Sequence, residues 1–357
     1  MAETDFVVSS RPTLKVDGEE AAALTQGLLT MRVHEHVDGL YAAELQFGNW
    51  GLSDNDTGFL FFDRQKLEFG KEIALTVSGI ELFKGKITAL EAGFPEASPP
   101  VLTALAEDRL QDLRMTRRTR TFADISDSDV MSQIASDHGL SPSVNVSGPT
   151  HKVLAQVAQS DLAFLRARAR AVGAEVWVDG STLNVKPRAS RTGGTPVTLG
   201  YGNELREFTV IADLAGQHSS VTISGWDVAG KTAISETSDD GDLGGETSSG
   251  DGGPSILSSA FAQRKESVVA SVPLTTAEAQ ARAKAIFLRT ARRFVSGRGL
   301  AQTDPGIRVG ATVKVQGVGP LFEGEYYVTE VRHMFDMAFG LRTELNVERP
   351  WLGRPQS

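Results

Sequence analysis

Cysteine is absent from the 357 residues, which excludes disulfides, thiol nucleophiles and cysteine-ligated zinc. Large aromatics are scarce: four tryptophans and four tyrosines stand against 36 glycines, a balance that suits many turns and β-rich structure. No apolar run approaches the roughly 18 residues that a membrane helix requires. An excess of positive charge is missing as well. The formal charge is −9, so the surface as a whole attracts neither nucleic acid nor an anionic membrane. The opening residues Met1-Ala2-Glu3-Thr4-Asp5 are acidic and lead no apolar stretch, so no secretory signal is read there. Folding in a reducing cytoplasm fits these absences, and later release from the cell stays open.

Signatures of chemistry are missing in the same way. Gly79-Ile80-Glu81-Leu82-Phe83-Lys84-Gly85-Lys86 superficially resembles a phosphate loop. It has one residue too many between its glycines and is followed by Ile87 instead of Ser or Thr, so it reads as a hairpin turn. His34 and His36 lie two apart on the polar side of a strand but have no evident third ligand. They read as a solvated or interface face. His138, His151, His218 and His333 are scattered, and His333, at a strand end, reads as packed or hydrogen-bonded. Asp239-Asp240-Gly241-Asp242 lacks the ligand spacing and the closing Glu of a calcium loop. Nothing matches a nucleophile elbow, a zinc-hydrolase helix or a dinucleotide loop. We therefore expect no catalytic residue, no cofactor and no metal site, and a protein that is not an enzyme.

What is present is pattern. Leu29, Met31 and Val33 alternate with Thr30, Arg32 and His34, the period of a half-buried strand. Ile73, Leu75 and Val77 alternate again, and Phe94 to Pro100 is a proline-rich loop. Ser126-Asp127-Ser128-Asp129 caps a helix carrying Val130, Met131, Ile134 and Ala135 up to the stop at His138-Gly139. A second helix opens at Ser160-Asp161, carries Leu162, Leu165, Ala169 and Val172, and stops at Gly173. Glu175 to Val185 reads as a hairpin with Asp179-Gly180 at its turn. After Pro196 the strands resume at Glu207–Ile211 and Ser220–Ser224. The stretch 235–253 holds six carboxylates and no basic residue among many Gly and Ser, so a flexible acidic loop is expected. One long helix follows, with a capping box of Thr275 and Glu278 and a buried stripe of Ala279, Ala283, Ile286, Phe287, Ala291 and Phe294.

Two basic clusters stand out: Arg114, Arg117, Arg118 and Arg120, and Arg282, Lys284, Arg289, Arg292, Arg293 and Arg298. They either dock against acidic neighbours or the acidic stretch, or form ordinary solvated faces. Nucleic-acid readout would need interleaved aromatics and a net basic domain, and neither is there.

The most informative pattern is an internal repeat. Gly70 is followed by Ile73, Leu75 and Val77, and Gly310 by Val313 and Val315. Each run leads to a related string, Leu82-Phe83-Lys84-Gly85 and Leu321-Phe322-Glu323-Gly324, expected at a turn. Each of these leads to another, Ile87-Thr88-Ala89-Leu90 and Val328-Thr329-Glu330-Val331. The ordered set favours a duplicated β-module over two unrelated hairpins.

These residues resemble the late control gene D family of phage hub proteins and the hub half of the type VI secretion spike protein VgrG. The similarity runs from about residue 12 to 350. Its best matches are Arg117 to Phe122 leading into Asp127-Ser128-Asp129, Gln159-Ser160-Asp161-Leu162-Ala163-Phe164-Leu165, and Gly324 to Thr329 with Val331 and His333. The resemblance implies a mainly β (α+β) chain: two duplicated antiparallel β-barrel tube domains, an α/β insertion and one long helix. The expected boundaries are 1–105 for the first barrel, 106–190 for the insertion and 191–350 for the second barrel, with a tail at 351–357. It further implies a homotrimer forming a pseudo-sixfold ring that joins an inner tail tube to a trimeric spike. The implied partners are the spike protein, the inner tube protein and other baseplate proteins, without specific nucleic acid or membrane insertion. The implied location is a phage virion or contractile injection particle assembled in the bacterial cytoplasm. VgrG continues into a collar and a β-helical spike, whereas this chain stops at Ser357, so the spike is expected to be a separate protein. Arg349, Pro350, Trp351 and Leu352 are then the expected spike-docking tail, because tryptophan and arginine are enriched at binding hot spots. Two rival readings are a peptidoglycan-binding module, since 120–187 loosely resembles a lysin-motif domain, and a peptidoglycan hydrolase of a tail-tip complex.

Overall fold

The computed structural model describes residues 11–53, 56–191, 196–270 and 274–354. The acidic opening at Met1 to Asp5 and the last three residues of the expected tail lie outside them.

The first unit runs through β1 (Thr13–Val16), β2 (Glu19–Glu20), α1 (Ala22–Gly27), β3 (Leu28–His36) and β4 (Ala42–Gly48). It continues with a small hairpin, β5 (Gly51–Ser53) and β6 (Asp56–Gly58), then β7 (Glu72–Val77), β8 (Ile80–Gly93) and β9 (Val101–Glu107). The alternation read from the sequence decides which face is buried: Met31, Val33, Ile73, Leu75 and Val77 are all inside. Strands β3, β4, β7, β8 and β9 send residues into one core that includes Leu45, Phe47, Phe83 and Leu102.

An α/β module follows: α2 (Gln111–Arg114), β10 (Arg117–Ser126), α3 (Asp127–Asp137), β11 (Ser141–Val144), β12 (Thr150–Ser160), α4 (Asp161–Ala171), β13 (Ala174–Asp179) and β14 (Thr182–Pro187). Ser126 and Ser160 cap α3 and α4, accepting from the amides of Asp129 and Ala163. Both helices bury their apolar sides in a core of their own, with Leu154, Val176 and Leu183.

The second unit comprises β15 (Val197–Gly200), β16 (Leu205–Ala212), β17 (Ser220–Asp227), β18 (Thr232–Asp239), β19 (Asp251–Gly252), α5 (Gly253–Phe261), β20 (Lys265–Val269) and α6 (Thr276–Ala291). Strands β21 (Val295–Gln302), β22 (Thr312–Gln316), β23 (Gly324–Asp336), β24 (Gly340–Arg349) and β25 (Trp351–Leu352) complete it. The expected capping box is formed at the start of α6, whose buried side lies on the small sheet β18-β17-β20.

The two units are the same piece of β-structure built twice. The first stacks its strands in the order β3-β4-β9-β8-β7, the second in the order β16-β21-β24-β23-β22. Gly70 and Gly310 both hold positive φ, +80° and +91°, and donate to the carbonyls of Ile87 and Val328. Strand β8 bulges at Thr88 against β9, and β23 bulges at Thr329 against β24. Each threonine hydroxyl donates across its bulge, Thr88 to Leu105 and Thr329 to Asn346. The mainly β fold implied by the resemblance is therefore present, with both units fused into one 13-stranded sheet through β23 and β3.

Two expectations need correction. The strings Leu82 to Gly85 and Leu321 to Gly324 do not superpose. Strand pairing sets Phe83 opposite Leu75 and Gly324 opposite Val315, so the true match is Phe83 with Gly324, two residues off the string match. The first string also lies in strand β8 and not in a turn. Nor is 235–253 a loop. It contains the end of β18, a 3₁₀ segment at Asp240–Thr247, and β19. Its carboxylates do not repel one another into solution, because α6 and the chain beyond it supply cations: Lys284 reaches Asp242 at 2.9 Å and Arg292 clasps Glu246 at 2.6 Å. Composition alone cannot reveal a countercharge forty residues away.

Candidate assembly and docking surfaces

The expected docking residues at the carboxy end are mostly built into the fold. Arg349 is 2% exposed and its guanidinium lies between two rings, 3.6 Å from the centroid of Trp351 and 4.3 Å from that of Tyr326. It donates to the carbonyls of Leu321 and Glu323, each at 2.7 Å. Burial pushes its pKa down to about 10. Trp351, 9% exposed, covers Gly250 and Gly324, where an added Cβ would meet the ring at 2.6 and 2.8 Å. Pro350 is buried and its carbonyl accepts from Gly253; Leu352 is half-buried in β25, which pairs with β19. Trp351 is therefore no exposed surface of the single chain: the ring is consumed in fastening the carboxy end to the acidic stretch.

The basic cluster near β10 is also largely spent internally. Arg120 bonds Asp161 and Asp137, Arg118 lies 3.3 Å from Asp161, and Arg114 pairs with Glu107. Asp161 and Asp127 open helices α4 and α3, and each is clasped by an arginine and a histidine. His138 stands 2.8 Å from Asp161, while His151 and Arg168 hold Asp127 at 3.0 and 2.6 Å. Burial pushes both carboxyls up, but these hydrogen bonds and charges outweigh it and hold them below the usual carboxylate range. His151 also bonds Glu278, tying the module to α6.

A buried polar network joins the three parts. Glu35 of β3 pairs with Arg308 and accepts from the amide of Val309 at 3.1 Å. Burial pushes its carboxyl above the usual range even with Arg308 opposing. Arg191 bonds Glu175 at 2.7 Å, and Tyr327 donates to the same carboxylate at 2.6 Å. Sequence reasoning did not find this network, because its members are scattered from residue 35 to 327. His34 and His36 do not come together on a metal: His34 bonds Glu330 at 2.8 Å, and His36 accepts from the amide of Asp38. His333 is fully buried beside Thr343 at 2.9 Å, and burial pushes its pKa down to about 3. Among the described residues no group of three or more His, Asp or Glu is arranged to hold a metal ion.

The exposed apolar residues are the surface that sequence reading missed. Trp50, Phe59, Phe62 and Phe94 form a chain of ring contacts, with centroids 5.2, 4.7 and 6.1 Å apart in turn. Phe94 is 66% exposed and sits just beyond the end of β8; Phe69 and Ile211 are also more than half exposed. Their only signal in the sequence was that each is a large apolar residue.

The family model described as Alg8 N-terminal domain matches residues 7–336. No curated protein matches the sequence. Among solved structures, the 43 kDa tail protein of prophage MuSo2 from Shewanella oneidensis is similar with a TM-score of 0.68 and 15% identity, over 95% of this chain and 98% of that one. The tail protein from Neisseria meningitidis MC58 is similar with a TM-score of 0.67 and 14% identity, over 96% and 98%. An E. coli protein described as a component of the type VI secretion system, with structural similarity to T4 bacteriophage tail proteins, has a TM-score of 0.59 and 12% identity, over 96% and 79%. The fold is the one these tail proteins have.

Proposed function

Because the chain belongs to the family described as Alg8 N-terminal domain and has the fold of phage tail proteins, we propose that it is a structural hub of a phage tail or contractile injection machine. Three copies form a ring of six similar β-units that adapts an inner tail tube to a trimeric spike, in a particle assembled in the bacterial cytoplasm. The observation that carries this reading is the duplication. A closed trimer of a chain that repeats one unit twice presents near-sixfold symmetry to one neighbour and threefold symmetry to the other. The role is structural and not enzymatic: the titratable groups described above are spent on ion pairs and buried hydrogen bonds that join elements of the fold. As part of the same proposal the spike docks at the carboxy-terminal end of the second unit, beside Arg349, Pro350, Trp351 and Leu352, with the Trp351 ring itself committed to the fold.

Native mass spectrometry of the purified chain, alone and with spike protein, tests the ring. The expected species is a trimer, with threefold particles in negative-stain micrographs. A strict monomer in both conditions would sink this function.

A further inference from the structure

Inside the chain the two units meet at one place. Strand β3 lies antiparallel along β23, beyond the end of β22, with Glu330 opposite His36 and Asp336 opposite Thr30. The duplication implies a second such place. Its two halves are the edge of β8 beyond the end of β7, and the outer edge of β16, the counterpart of β3. Among the described residues neither edge has a strand partner. The chain thus carries one filled copy of a junction and both sides of an empty one.

We infer that β8 of one copy of this chain pairs antiparallel with β16 of the next copy, in the register of the internal junction. This rests on the ring reading above and adds which strands meet and how they align. The shared bulges define the register. Thr88 corresponds to Thr329, so Leu90, Ala92 and Phe94 stand where Val331, His333 and Phe335 stand. The bulge of β16 after Leu205 matches that of β3 after Leu28, so Phe208, Val210 and Ala212 stand where Met31, Val33 and Glu35 stand. The internal pairs Arg332–His34 and His333–Val33 then become Glu91–Ile211 and Ala92–Val210 between copies.

Burial supports the assignment independently. At the internal junction Phe335 is 4% exposed; its counterpart Phe94 is 66% exposed. Val309 is 6% exposed and its amide bonds Glu35; its counterpart Phe69 is 54% exposed and would face Ala212, where the smaller side chain leaves room for the ring. The hydrogen bond between His34 and Glu330 that ties the internal junction is replaced by Ala89 and Ile211, an apolar pair suited to burial. Open edges carrying exposed large apolar residues are unstable as free surfaces. Because each copy offers one edge of each kind, the contact is head-to-tail, and it closes into a ring instead of leaving an edge.

The absence of cysteine makes the test direct. Mild oxidation of the double variant Glu91→Cys with Ile211→Cys should give covalent dimers and trimers, because facing residues of paired strands lie within disulfide reach. The variant His34→Cys with Arg332→Cys, at the internal equivalent, should close within one chain and run as a monomer. A one-residue slip, Glu91→Cys with Val210→Cys, should stay reduced because the side chains point to opposite faces. A trimer by native mass spectrometry in which the internal pair closes but the Glu91/Ile211 pair does not would overturn the junction and leave the ring standing. A monomer would remove both.

Discussion

Asp127 and Asp161 show how single residues of this chain are set by neighbours distant in sequence. Each is the first residue of a helix, where a negative charge also meets the helix dipole, and each is held by an arginine and a histidine. Both carboxyls titrate below their ordinary value of 3.8, so the unfolded chain binds more protons than the folded one around that pH. Their contribution is fully present above that value and is lost as pH falls through the folded pKa. The urea midpoint of the α/β module should therefore drop between about pH 5 and pH 2, and the drop should shrink in the Asp127→Asn, Asp161→Asn double variant. An unchanged slope in that variant would show that other carboxylates carry the acid sensitivity.

At the scale of elements, the carboxy-terminal strand is the fastener for the acidic stretch. β25 pairs with β19, Pro350 receives the amide of Gly253, and Arg354 reaches Asp251 at 2.9 Å. In the intact chain, hydrogen exchange across 240–253 should be slower than in an unstructured segment of the same composition. Removing the chain after Arg349 leaves the Gly250 and Gly324 faces without the Trp351 ring that covers them. That truncation should open 240–253 to protease while β17 and α6 stay protected. Equal protease resistance in both forms would mean that the ion pairs to Lys284 and Arg292 hold the stretch without β25.

At the scale of the whole molecule, the two units are coupled by one continuous sheet and one buried ion pair. Glu35 is 1% exposed on β3 of the first unit, and Arg308 belongs to the second. Arg308→Ala leaves that carboxylate buried without its partner and should cost about 3 kcal/mol, since breaking such a pair strands a charge. Pairing it with Glu35→Gln should recover part of the loss. Calorimetry of the three proteins checks this; an Arg308→Ala protein as stable as the parent would show that the joint is held by strand pairing alone.

The sequence by itself determined the strands, the two Ser-Asp helix starts, the capping box on α6 and the existence of a repeat. All of these are written in local periodicity, in caps or in short strings that survive duplication. It misjudged the acidic stretch and the Trp351 tail for one shared reason. Both are judged locally as charge or exposed ring, and both are decided by residues brought to them through the fold. The alignment of the repeat shows the same division. The sequence offered two matching strings, but only hydrogen-bond register distinguishes the one at Thr88 and Thr329, which superposes, from the one at Phe83 and Phe322, which is two residues out. Which edges are filled and which are empty is not a property of any residue. It follows from a sheet that runs from one unit into the other through β23 and β3, and tertiary structure alone decides it.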